Sequence, residues 1–272
     1  MEIKFFCPNW GSGHNDFNEF VTSVTAAGYD GIEMSLPLNQ SEKESIFDSI
    51  RRHGLLFIAQ HWETATSDFE EHKKEYRSRL VNLATVAPLF INSQTGKDFF
   101  SFEQNVELIQ IASEVSHKYG VKIIHETHRG KFSFAAHITS DYLTRLPDLR
   151  IGFDISHWCN VAESYLPDQQ AAIDQAISRA DHIHARVGFP EGPQITDPRD
   201  PDWKEAVDIH TGWWKRIVEV RRKEGLPVFT ITSEFGPFPY MINMPFTQKP
   251  IANQWEINVY MMKMLKSILN SE

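Results

Sequence analysis

Cysteine is nearly absent from this 272-residue chain, which has only Cys7 and Cys159. Two are too few for a disulfide framework, and each reads as a small buried apolar residue near a strand end. Basic residues are outnumbered: 27 Lys and Arg against 36 Asp and Glu give a net charge of −9. No basic run exceeds Arg51-Arg52 and Arg221–Lys223. A nucleic-acid binder ordinarily shows a basic stripe, so DNA and RNA are not expected partners. No stretch approaches the roughly 18 consecutive apolar residues that span a bilayer, so no membrane partner is expected either. The opening MEIKFFCPNW has neither the basic nor the apolar region of a signal peptide, which makes the cytoplasm the expected compartment. A Gly-rich phosphate loop, a Cys-x-x-Cys pair and a Gly-x-Ser-x-Gly elbow are also missing.

What is present is ordinary globular composition, 41% hydrophobic and 23% charged, in a length close to the roughly 250 residues of a (β/α)8 barrel. Short apolar runs at 2–7, 31–35, 55–61, 89–93, 121–126, 150–155, 181–186 and 228–234 read as strands. Amphipathic runs near 16–27, 41–53, 69–86, 102–119, 135–146, 168–179, 203–224 and 253–270 read as helices. Eight of each in alternation predict a parallel sheet closed on itself, a single TIM-barrel domain over 1–272. Gly28, Gly54, Gly120 and Gly225 stand where a left-handed residue ends a helix, and Pro147 stops another. Ser41 with Glu44 matches a capping box. The Gly- and Pro-containing stretches 187–202 and 235–252 follow strands seven and eight, where a barrel shapes its pocket.

Barrel strands are usually apolar inside, yet several of these end in polar groups. Strand five ends HETHRG, strand six FDISHW, strand seven HIHAR, strand eight SEFGP and strand three QHW, while strand two carries Glu33. Catalytic groups of such barrels come from the C-terminal strand ends. Carboxylate and imidazole groups from four consecutive strands suit a divalent ion such as Mn, Mg, Co or Zn. Three carboxylates in one barrel mouth would otherwise repel each other strongly. Arg129, Arg186 and Arg199 are candidates to clamp an anion or to form local ion pairs. His61 and His128 are candidate substrate contacts, and Trp10, Trp62 and Trp158 a candidate aromatic wall. Trp203, Trp213 and Trp214 read as helix-packing residues. Glu33 reads either as a substrate-side carboxylate or as half of a buried ion pair.

The motifs GYDGIEM, HETHRG, FDISHW, HIHAR and TSEFGP resemble the xylose isomerase-like barrels, and the resemblance spans essentially the whole chain. That group includes ketose 3-epimerases, hydroxypyruvate isomerase, inosose dehydratase and endonuclease IV. The resemblance implies one divalent ion on Glu126, Asp154, His184 and Glu234, with His182 in support and His157 contacting substrate. It implies a sugar or polyol substrate and a sugar isomerase or epimerase in carbohydrate metabolism. Glu126 and Glu234 would move the proton next to a carbonyl through a metal-stabilised enediolate. A dehydratase of a keto-sugar or keto-cyclitol is the alternative enzyme, and a non-catalytic sugar-binding barrel the alternative outside enzymes. A homo-oligomer is also implied. Two positions depart from the ketose epimerase pattern: Phe132 replaces a glutamate and Pro190 an arginine.

Overall fold

A computed structural model of the chain describes residues 1–13 and 16–269. Eight parallel strands close in sequence order: β1 (Glu2–Pro8), β2 (Gly31–Met34), β3 (Leu56–His61), β4 (Ile91–Ser93), β5 (Ile123–Glu126), β6 (Ile151–Phe153), β7 (Ala180–His184) and β8 (Val228–Thr232). The last strand pairs with the first, Glu2 opposite Val228 through Phe6 opposite Thr232, so no sheet edge is left open. The helices are α1 (Phe17–Ala27), α2 (Gln40–Arg52), α3 (Phe69–Ala84), α4 (Phe102–Tyr119), α5 (Ala136–Arg145), α6 (Ser156–Val161), α7 (Gln170–Ile177), α8 (Lys204–Lys223) and α9 (Gln254–Leu269). Residue 270, the expected end of the last helix, lies outside the described residues. No helix among the described residues is long and apolar enough to cross a membrane.

The expected alternation is present, with two local differences. The short helix α6 follows β6 directly, because the Asp154 carboxylate accepts from the Ser156 amide and turns the chain at once. Its few residues are too short a run to show a 3.6-residue period in sequence. Helix α2 is capped by Asn39, whose side chain accepts from the Glu42 amide, so the Ser41–Glu44 pair falls inside the helix. The capping box belongs instead to Ser101 and Gln104, at the start of α4. The four glycines take positive φ, from 66° at Gly120 to 86° at Gly28. Cys7 and Cys159 are both buried, as are Trp213 and Trp214 on α8. Trp203, in a 3-10 turn, packs on Phe189.

Alternation along each strand divides the core in two. One set of side chains meets the helices, and the other fills the barrel. Within the barrel, Phe6, Ile58, Phe90 and Ile124 form a separate apolar cluster with Leu56 against it. The next inward positions along these strands are polar: Glu33, Gln60, Asn92, Glu126 and, across the barrel, His182, His184, Thr230 and Thr232. The barrel therefore has an apolar base and a buried polar upper half.

Gly31 marks how tightly the base is packed. A Cβ there would lie 2.4 Å from Phe6 Cε1 and 2.5 Å from the Leu56 carbonyl oxygen. Gly31→Ala is expected to destabilise the barrel by about 1–3 kcal/mol through overpacking. Urea titration followed by circular dichroism checks this, and an unchanged midpoint would remove the packing constraint.

Candidate active site

Glu126 ends β5, His184 ends β7, and Asp154 and Glu234 lie just beyond β6 and β8. Each offers one ligand atom, and these four atoms all lie within 4.8 Å of one another. Asp154, Glu126 and His184 are fully buried, and Glu234 is nearly so. His184 Nδ1 is 2.8 Å from Glu234 Oε2 and 3.6 Å from Glu126 Oε1, and it has no hydrogen-bond partner. A buried, unpartnered imidazole nitrogen among three carboxylates is a donor set that fits a divalent cation.

Glu33 determines which nitrogen of His184 is free. Its Oε1 accepts from His184 Nε2 at 2.9 Å and from Asn92 Nδ2 at 3.1 Å. Its Oε2 accepts from His182 Nε2 at 3.1 Å and from the Thr232 hydroxyl. His182 Nδ1 is bonded in turn to Thr230 Oγ1 at 2.7 Å. With Nε2–H directed at Glu33, Nδ1 of His184 is left facing the carboxylates, where an ion and a proton would compete for it. Glu33 is 1% exposed and lies beneath the ligand atoms. The substrate-contact reading of Glu33 is therefore replaced by the buried-pair reading. Gly152 makes room for this layer, since a Cβ there would sit 2.3 Å from Asn92 Oδ1.

Charge is distributed unevenly over the cluster. Burial would raise Glu33, but the facing His184 and His182 outweigh it and hold its carboxyl well below the usual range. Burial raises Glu126, partly opposed by His184, and raises Asp154, partly opposed by Arg186. For Glu234 the same burial is outweighed by His184 and Arg186, and its pKa falls. Burial would lower His184, but Glu234, Glu33 and Glu126 carry it well above its ordinary value. His182 is lowered by burial and is held neutral.

Above this floor opens a cavity of about 230 Å³. Trp10, Trp62, His128, Arg186 and Glu234, all expected from sequence, line it. Three further lining residues were not selected from sequence: Gln60, Gln94 and Tyr240. Gln60 Nε2 donates to Glu234 Oε1 at 3.0 Å, and Gln94 Nε2 to Glu126 Oε1 at 3.3 Å. Each of the two glutamates thus carries one glutamine amide. Inward alternation (Ile58, Gln60 and Asn92, Gln94) was the signal that could have found both.

Other expected contacts lie elsewhere. His61 neighbours the inward Gln60 and so faces the helices, bonded to Ser93 Oγ and Thr64 Oγ1 and packed on Tyr76. His157 is buried behind His128, with ring centroids 3.9 Å apart, and meets Arg186 Nη2 at 3.1 Å instead of the cavity. Arg129 lies over the Tyr240 ring and donates to Asn160, one step back from the cavity wall. Trp158 is in the core, its indole N–H bonded to the Ser133 carbonyl. Arg199 pairs with Asp197 and Glu256. Phe132, at the departing position, is buried against His125 and Tyr142.

No family model matches the chain, and no curated protein matches it in sequence. Solved structures do match. The 3-keto-D-glucoside 4-epimerase of E. coli aligns with a TM-score of 0.63 at 14% identity, covering 98% of this chain and 100% of that one. The probable 3-DHS dehydratase of petrobactin synthesis from Bacillus anthracis gives 0.61 at 15% identity, covering 97% and 98%. Endonuclease IV from Thermus thermophilus gives 0.59 at 15% identity, covering 100% of both chains. At such identities the likeness carries the fold alone, that of a (β/α)8 barrel. The three names span three chemistries, so the fold leaves the reaction open.

Two outcomes are expected at this cluster. Glu33→Gln should weaken divalent-ion affinity by about 10–100-fold, the usual cost of losing the partner of a metal-ligating histidine. Calorimetric titration with Mn would show it, and an unchanged affinity with native circular dichroism would end the positioning role. Because the pKa of His184 is raised well above 6.5, the ion-free protein carries that proton at neutral pH. An ion must displace it, so binding at pH 7 should release about one proton or more, and affinity should climb with pH until the raised pKa is passed. Titrations in buffers of different ionisation enthalpy count the protons.

Proposed function

We propose that this xylose isomerase-like barrel is a divalent-metal-dependent sugar isomerase or epimerase. One observation carries the reading: Glu126 and Glu234 both approach His184 Nδ1, at 3.6 and 2.8 Å, and each is tethered by a glutamine amide. Glu126, Asp154, His184 and Glu234 would hold one ion, Mn, Mg, Co or Zn. When bound, it supplies positive charge next to the oxygen that becomes negative as an enolate forms.

The two glutamates differ as an acid and a base should. Glu234 pairs with Arg186 at 3.1 Å and reaches the cavity, which suits it to take a proton from carbon. Glu126, buried and held by the Gln94 amide, would give one back. His128 Nδ1 is bonded to the Arg129 carbonyl at 2.6 Å, leaving Nε2 as an acceptor for a substrate hydroxyl. Burial lowers His128 to about 3, so it remains neutral.

The walls support a sugar-sized substrate. Trp10 and Tyr240 meet edge to face at 5.1 Å, and Trp62 completes an aromatic surface with a polar floor. A ring ketone, such as the keto-glucoside of the E. coli neighbour, belongs to the class that this chemistry serves. Elimination of a β-hydroxyl would share the first proton transfer, so the dehydratase reading differs only in the product.

Solvent deuterium exchange over a panel of ketoses, keto-glycosides and keto-cyclitols, with Mn or Co added, is the direct test. Label entering recovered sugar supports isomerisation or epimerisation, and loss of water supports the dehydratase. Glu126→Gln and Glu234→Gln should each lower exchange by about 10²–10⁴-fold, the range for a general acid or base. Undiminished exchange in either variant, with the ion bound, would sink the two-carboxylate scheme.

A further inference from the structure

Arg186 lies between the carboxylate floor and the cavity that its side chain lines. Its Nη2 contacts Asp154 Oδ2, Glu234 Oε2 at 3.1 Å and His157 Nε2 at 3.1 Å, while Nε donates to Ser156 Oγ at 3.3 Å. Nη1 is buried and has no hydrogen-bond partner, although the side chain lines the cavity. The group is 2% exposed and lies against Tyr240 at 4.7 Å and Trp10 at 5.9 Å. A buried N–H without an acceptor is costly, and a guanidinium fixed by several groups on one side cannot turn away to find one.

We propose that Arg186 is a catalytic electrophile whose Nη1–H donates to the substrate oxygen on which negative charge develops. The proposal rests on the enolising reading above and adds a residue to it. Position would select the oxygen: Nη2 of the same rigid plane touches Glu234, the base, so an oxygen on Nη1 would lie beside the carbon that loses its proton. In the step, Glu234 takes the proton, the C–H pair becomes a C=C bond, and the carbonyl π pair moves onto oxygen. That oxygen accepts the Nη1 hydrogen bond, and Arg186 keeps its proton throughout. Collapse of the enolate with the proton of Glu126 restores the C–H bond, so nothing is oxidised or reduced. Donors preset where charge appears act most strongly in a site closed to water.

The probes are threonohydroxamate, whose paired oxygens imitate an enediolate, and threonamide, its ground-state counterpart. Both are titrated by calorimetry into the Mn-loaded protein. Arg186→Lys is expected to weaken the hydroxamate by about 10–100-fold and the amide by less than about threefold, with Mn content unchanged, since a preset donor favours the charged form. On the best exchanging sugar, kcat should fall by about 10²–10³-fold with KM within about threefold. Guanidinium chloride should partly restore Arg186→Gly. Equal weakening of both probes, or Mn loss that accounts for the whole effect, overturns the proposal and leaves Arg186 a positioning residue. A wild type that shows no Mn-dependent preference for the hydroxamate overturns the enolising reading itself, before any variant is made.

Discussion

Four carboxylates inside one barrel impose the constraint from which the rest of the site follows. Glu33, Glu126, Asp154 and Glu234 are each at most 3% exposed. Taking that many anions out of water is unfavourable unless each finds charge and donors nearby. The chain provides these in two layers. Glu33 is answered completely by protein, with four donors on its two oxygens. The upper three are answered by the neutral donors of Gln60, Gln94 and Ser156, by Arg186, and by a His184 that must hold a proton to help. The unpartnered Nδ1 of His184 among them makes the upper three a candidate cation site.

The layering depends on strand register. Side chains alternate with a period of two, so a slip of one residue in β2 would send Glu33 into the apolar shell between sheet and helices. Closure through the β1–β8 pairing removes that freedom by fixing every strand against two neighbours. The same alternation sets His182 and His184 two residues apart, one serving the lower layer and the other joining both. His184 therefore passes any change at Glu33 to the ligand atoms above it.

Most of the fold was legible because its signals are local and repeated. Apolar runs and helical periods recur in eight units, left-handed glycines close four of them, and an error in one leaves the count intact. The cluster of Glu126, Asp154, His184 and Glu234 was legible because its members are chemically odd for a barrel interior and fall at strand ends. What escaped was side-chain direction. His61 and Gln60 are adjacent, and motif reading favoured the histidine, but parity puts the glutamine inside and the histidine outside. Trp158 follows a strand end like Trp10 and Trp62, but the unforeseen α6 turns it into the core. Tyr240 lies six residues beyond Glu234 in an irregular loop, where no period exists to place it.

That loop decides more than its irregular sequence suggests, because its root is fastened on several sides. Gln194, from the loop after β7, donates to the Gly236 carbonyl at 3.2 Å and accepts from the Gly236 amide at 2.7 Å. Asn258 on α9 accepts from the Phe235 amide and donates to its carbonyl. Gln254 bonds both the Phe235 and Trp10 carbonyls. A Cβ at Gly236 would lie 2.2 Å from the Trp10 indole, so the wall closes here only with glycine. Two loops, one helix and the end of β1 thus converge on the segment that leads to Tyr240. A wall fixed in this way presents its aromatic faces before substrate arrives, which lowers the ordering cost of binding. It also holds Tyr240 against Arg186, so the loop that shapes the pocket steadies the guanidinium that faces it. In a fold shared with an epimerase, a dehydratase and an endonuclease, loops of this kind are where one chain differs most from the next.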